Sequence, residues 1–170
     1  MKQILLGSAL WGWGVERSQA FDMLDTFVGL GGGWVDTAIN YPINNKPEDC
    51  GLALRWIIAW TQSRRQSGLR VLVKLGAVGN CRNGALDLSG STLRSRVSQL
   101  RVQLGSALGG VAVHWDHRGS DPGDREAVGE TVQAFADFNR DGLVVGFSGV
   151  DFPEAYLKAG PSLADQWWVQ

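Results

Sequence analysis

Histidine and cysteine are scarce in this 170-residue chain, two of each, and their scarcity excludes whole classes of chemistry. Cys50 and Cys81 are far apart in sequence and fall in no paired-spacing motif. Neither a disulfide framework nor a zinc site is expected, and reduced thiols of a cytoplasmic protein fit better. An excess of either charge is also lacking, because 16 Lys and Arg nearly balance 17 Asp and Glu. A net charge of −1 offers no basic groove for nucleic acid and no patch for a membrane surface. No window approaches the apolar length of a transmembrane helix, and the opening residues Met1 to Gly7 carry one positive charge without the apolar stretch of a signal peptide. No Pro-rich or low-complexity linker divides the chain. With 44% hydrophobic residues it can build one real core but not two ordinary domains. A single soluble, cytoplasmic domain over 1–170 is expected.

What is abundant is glycine, 23 residues, and tryptophan, eight. The glycines cluster at 29–33, 76–90, 105–110 and 142–149, where the chain must change direction, and helical patterns lie between. Apolar residues at helical spacing predict helices over 16–30 (Ala20, Phe21, Leu24, Phe27, Val28) and 47–64 (Leu54, Ile57, Ile58, with Trp56 and Trp60 beside them). The same pattern predicts helices over 91–105 (Leu93, Val97, Leu100, Leu104) and 125–140 (Val128, Val132, Phe135, Phe138), with a short fifth after Pro153. Each is followed by a short, continuously apolar run, the pattern of a parallel strand covered on both faces. With Ile4 to Leu6 at the start and 164–169 at the end, six strands and five helices alternate. The fold class is therefore α/β, either doubly wound or part of a (β/α)8 barrel of the TIM type.

The two architectures place function differently. A doubly wound sheet relies on a glycine-rich turn after its first strand. Gly12-Trp13-Gly14 follows the first strand here, but Arg17 stands where the third glycine of G-x-G-x-x-G belongs. A barrel instead gathers catalytic groups from the C-terminal ends of several strands. Asp36, Lys74, His114 and Ser148 close four successive apolar runs, and Tyr41 lies just after the first of them. Singly, each has an ordinary reading: a loop acid, a snorkelling amine, a hydrogen-bonded imidazole, a loop aromatic.

Jointly they fit hydride transfer to a carbonyl. The oxygen that gains negative charge must receive a proton, and Tyr41 can donate it. A phenol of ordinary pKa ~10 is a reluctant acid, so an ammonium that stabilises the resulting phenolate is needed, and Lys74 fits that role. Asp36 would hold Lys74 charged and oriented, and His114 would hydrogen-bond the substrate oxygen. An unrelated lyase or isomerase using Lys74 as a Schiff base remains an alternative.

These residues resemble the aldo-keto reductase superfamily of NAD(P)H-dependent barrels. The likeness runs through Leu6-Gly7-Ser8-Ala9-Leu10-Trp11-Gly12, Asp36-Thr37-Ala38-Ile39-Asn40-Tyr41, Glu48-Asp49-Cys50-Gly51, Val73-Lys74, Val113-His114-Trp115-Asp116 and Val145-Gly146-Phe147-Ser148. It implies a tetrad with Tyr41 as general acid supported by Lys74, Asp36 and His114. It also implies that Ser148 and Gln166 hold the amide of a bound nicotinamide, with NADP(H) or NAD(H) as cofactor and a small carbonyl compound, sugar-like molecules included, as substrate. Trp11, Trp13 and Trp115 are candidate pocket walls.

The chain departs from that pattern in three places. Gly149 stands where the family has an Asn, Val169 where it has a stacking aromatic, and the loop from Tyr41 to Glu48 is longer. About six of the eight barrel units are expected, which makes this a truncated reductase or a barrel completed by homo-oligomerisation that covers its open edges. A catalytically silent scaffold that binds or regulates is the rival function. His114-Trp115-Asp116-His117 has the look of a metal half-site, but no further His or paired Cys supports it, and no metal is expected.

Overall fold

A computed structural model of the chain describes residues 4–64, 67–81, 84–121, 123–161 and 163. Strands and helices alternate: β1 (Leu5–Gly7), α1 (Arg17–Gly29), β2 (Trp34–Ala38), α2 (Leu52–Ser63), β3 (Arg70–Leu75), α3 (Gly90–Leu104), β4 (Leu108–Val113), α4 (Asp124–Arg140), β5 (Val144–Phe147) and α5 (Pro153–Ala159). The five strands form one parallel sheet in the order β1-β2-β3-β4-β5. That unbroken order is what a (β/α) barrel requires. A dinucleotide-binding doubly wound sheet would reverse direction beside its first strand. Gly12-Trp13-Gly14 accordingly forms a local turn, with Gly14 N–H donating to Leu10 O at 2.9 Å and Gly12 N–H to Val15 O at 2.9 Å. The sixth predicted strand, 164–169, lies outside the described residues.

Each element follows from its sequence. Glu16 precedes α1 rather than opening it, and its N–H donates to Gln19 Oε1 at 2.9 Å, reaching forward to the first turn. The predicted helix over 47–64 divides into a 3₁₀ turn, Pro47–Asp49, and α2. The reason is Gly51, whose φ of +75° interrupts a right-handed helix. In α3 the stripe Leu93, Val97, Leu100 and Leu104 is buried, and in α4 the stripe Val128, Val132, Phe135 and Phe138.

Strand alternation sorts the sheet into two faces. Val35, Val71, Val73, Val111, Val113 and Val145 pack with Leu24, Ile57, Leu93, Val97 and Phe135 of the helices in one apolar core. The intervening residues, Asp36, Leu72 and Lys74 among them, belong to the opposite face. That face leads to the C-terminal rim, where the β2 and β3 loops are stitched by Asn40 Nδ2 to Gly79 O at 3.0 Å and Asn80 Nδ2 to Asn44 Oδ1 at 2.9 Å. Among the described residues, no helix is long and apolar enough to cross a membrane.

Candidate active site

Asp36 lies inside β2 rather than at its end, because the strand continues through Thr37 to Ala38. The parallel register pairs Asp36 with Leu72 and Ala38 with Lys74, so the Lys74 side chain emerges one layer above the carboxylate, within its reach. Lys74 Nζ donates to Asp36 Oδ2 at 2.9 Å and to Tyr41 OH at 3.2 Å. All three residues are at least 90% buried. A buried ion pair withstands its desolvation only with good geometry and further hydrogen bonds, and the Tyr41 hydroxyl supplies one. Tyr41 is held in turn by its backbone, whose carbonyl accepts from Ala53 N–H of α2 at 3.2 Å.

His114 follows β4, its N–H donating to Leu75 O at 3.0 Å. Its ring meets Tyr41 edge to face, with centroids 5.2 Å apart, and stacks at a tilt on Trp115, 4.2 Å away. Burial, and then the Lys74 charge, push the imidazole pKa down from 6.5 to about 3, so His114 is neutral at physiological pH. Its Nδ1 and the Trp115 Nε1 are buried without a hydrogen-bond partner among the described residues. Asp36, Tyr41, Lys74 and His114, spread over 79 positions of sequence (36 to 114), thus form one contiguous polar group toward the C-terminal rim of the sheet, with Asp36 and Lys74 inside their strands and Tyr41 and His114 beyond them.

Ser148 follows β5 beside them. Its hydroxyl donates to Val113 O at 2.8 Å, with His114 O at 3.2 Å, and leaves its lone pairs to accept an N–H. Gly149 has φ +59°, and a β-carbon there would lie 2.8 Å from His114 O. That close approach explains why glycine stands at this position. Trp11 is buried in the same apolar cluster as Tyr41, whereas Trp13 is 62% exposed on the surface. Gln166 lies outside the described residues.

The His114-Trp115-Asp116-His117 run divides among different tasks. Asp116 turns inward to Arg118 and Tyr156, while His117 Nδ1 pairs with Asp151 Oδ2 at 2.7 Å on the surface. Among the described residues, no three His, Cys, Asp or Glu side chains gather as a metal site requires. The Asp116, Arg118 and Tyr156 group is the feature that sequence reasoning missed. An Asp two residues past a strand-end His is a visible signal, but nothing local to it points to a tyrosine 40 residues away.

A parallel sheet in unbroken order, with polar groups converging on one rim, defines a segment of a (β/α) barrel with an enzyme-like site. The aldo/keto reductase family model matches residues 3–165, and the chain belongs to that family. Comparison with curated proteins gives no match. Solved structures do match, among them PA4992 of Pseudomonas aeruginosa, assigned as an aldo-keto reductase, at TM-score 0.63 and 24% identity. The alignment covers 85% of this chain and 54% of that one, so the chain spans about half the length of that relative.

Proposed function

We propose that this chain carries the proton-transfer site of an oxidoreductase that reduces a small aldehyde or ketone, or oxidises the corresponding alcohol. The observation that carries the reading is the Asp36–Lys74–Tyr41 relay with neutral His114 against the phenol. Tyr41 donates its proton to the substrate oxygen as negative charge develops there. Lys74 stabilises the phenolate left behind, and Asp36 keeps the ammonium in place. Neutral His114 has one N–H to give. With Nδ1 unpartnered, the proton sits better on Nε2, where it can hydrogen-bond the substrate oxygen, because an orphaned buried donor is the costlier arrangement.

The family implies a nicotinamide cofactor, NADP(H) or NAD(H), which would supply the hydride. Two observations fit its nicotinamide end: the acceptor capacity left on Ser148 and the unpartnered Trp115 indole N–H. Trp115, stacked on His114, would also wall the carbonyl pocket. Gln166 is the further candidate for the amide, and Gly149 offers no side chain to it.

Two measurements test the reading. Titration with NADPH should quench the tryptophan fluorescence of the chain, and Tyr41→Phe should leave that quenching intact while lowering aldehyde reduction about 10²- to 10⁴-fold. Full activity in Tyr41→Phe removes the phenol from the acid role. Absence of quenching favours the silent-scaffold reading.

A further inference from the structure

Behind the site lies a second buried polar group. The Asp116 side chain is fully buried, and four donors converge on its carboxylate. Arg118 brings its backbone N–H and Nε to Oδ1, both at 2.9 Å, and its Nη2 to Oδ2 at 2.8 Å. The fourth is the Tyr156 hydroxyl of α5, which donates to Oδ2. Arg118 Nη2 also donates to Thr131 Oγ1 of α4 at 3.0 Å, and that hydroxyl donates onward to Leu88 O at 2.7 Å. One carboxylate therefore draws together β4, α4, α5 and the segment leading into α3.

The backbone of Asp116 is equally occupied. Its N–H donates to Gly149 O at 3.1 Å, and its carbonyl accepts from Asp151 N–H at 3.0 Å. These bonds carry the parallel pairing of β4 and β5 beyond the strands proper, as an Asp116–Val150 bridge. His114 and Trp115 lie immediately before the clamped residue on one side, and Ser148 on the other. Tyr156 braces the same point from below, its ring edge against Phe147 of β5 with centroids 5.3 Å apart.

We infer that the Asp116–Arg118–Tyr156 cluster is a positioning device that fixes His114 and Ser148 relative to one another and ties their spacing to helix α5. It rests on the reading of those two residues given above. Stability is a poor explanation for the cluster, since a buried ion pair is on balance no better than apolar residues of the same volume. What a bidentate guanidinium–carboxylate fork provides is direction. Asp116 itself takes no part in proton transfer, because its oxygens are occupied by donors that hold it ionised. Burial favours the neutral acid, but the Arg118 and Tyr156 hydrogen bonds outweigh it and keep the carboxyl below the usual range.

Two variants test the inference in the intact chain. Tyr156→Phe keeps the ring on Phe147 and removes the hydroxyl; Arg118→Lys keeps the charge and removes the fork. The chain has only two histidines, so a ¹⁵N imidazole spectrum resolves both, and His117→Gln assigns the remaining signals to His114. Both variants should shift the His114 signals and lower kcat for carbonyl reduction about 10- to 100-fold, a loss well beyond the fraction unfolded, with the KM for NADPH near the parent value. Unchanged His114 signals in Tyr156→Phe overturn the inference, as does a kcat loss matched by the fraction unfolded. If the parent chain reduces no carbonyl, the proposed function fails, and the imidazole spectra still decide whether the cluster sets the His114 geometry.

Discussion

Lys74 Nζ stands between two acceptors, 2.9 Å from Asp36 Oδ2 and 3.2 Å from Tyr41 OH, so one buried ammonium ties the middle of β2 to the loop that follows it. Lys74→Met removes that ammonium and leaves its carboxylate partner in a site too dry to solvate it. The expected cost is about 3–5 kcal/mol, whereas Asp36→Leu combined with Lys74→Met should recover much of it. Urea unfolding of the two single variants and the double variant measures the coupling. Additive losses would show that the pair contributes no mutual stabilisation.

His114 makes stability depend on pH with a definite sign. Its folded pKa is about 3 against 6.5 for the free side chain, so below pH 6.5 the unfolded chain takes up a proton that the folded one refuses. Stability contributed at neutral pH is therefore lost progressively as pH falls from 6.5 toward 3, and no further loss from this group follows below that. A shift of this size corresponds to about 5 kcal/mol across the window. Carboxylates of the unfolded chain take up protons at the acidic end of this window too, so the comparison that isolates the effect is with His114→Gln. The difference between the two stability curves should grow between pH 4 and 6; parallel curves would contradict a neutral, buried imidazole.

Phe135 tests the core that carries the rim. It is fully buried in α4, in ring contact with Phe138 (5.7 Å between centroids) and with Phe147 of β5 (5.4 Å). Phe135→Ala should cost about 3–5 kcal/mol through lost burial and the cavity left behind, and Phe135→Leu well under half of that. Chemical denaturation of both variants gives the ratio.

These elements differ in how far the sequence announced them. The strands were legible because parallel strands are apolar on both faces, and the α3 and α4 stripes because every third or fourth residue meets the same neighbour. Asp36, Lys74 and His114 stood out as lone polar residues at or near the limits of apolar runs. Strand limits were less legible: the continuation of β2 to Ala38 depends on pairing with Lys74 across the sheet, which no local pattern encodes. The division of the 47–64 helix turned on the single left-handed residue Gly51. The Asp116–Tyr156 contact needs the folded rim, since its two ends lie on different βα units.

Gly149 joins these themes, because it must satisfy a backbone conformation and a close contact at once. Its φ of +59° is one that L side chains rarely adopt, and its β-carbon position lies 2.8 Å from His114 O and 3.2 Å from Trp115 Cβ. Gly142, at φ +87°, has the first constraint without the second, since nothing lies within 4 Å of its β-carbon position. Gly142→Ala should therefore cost only the conformational penalty, about 1–2 kcal/mol. Gly149→Ala should cost more, and the excess should appear as movement of the His114 backbone, whose carbonyl is the nearest atom in the way. Urea unfolding of the two variants measures the difference, and the His114 imidazole signals should shift in Gly149→Ala alone. Equal costs with unmoved signals would mean that the Gly149 loop yields instead of the strand, and that the spacing between His114 and Ser148 is softer than the hydrogen bonds around Asp116 imply.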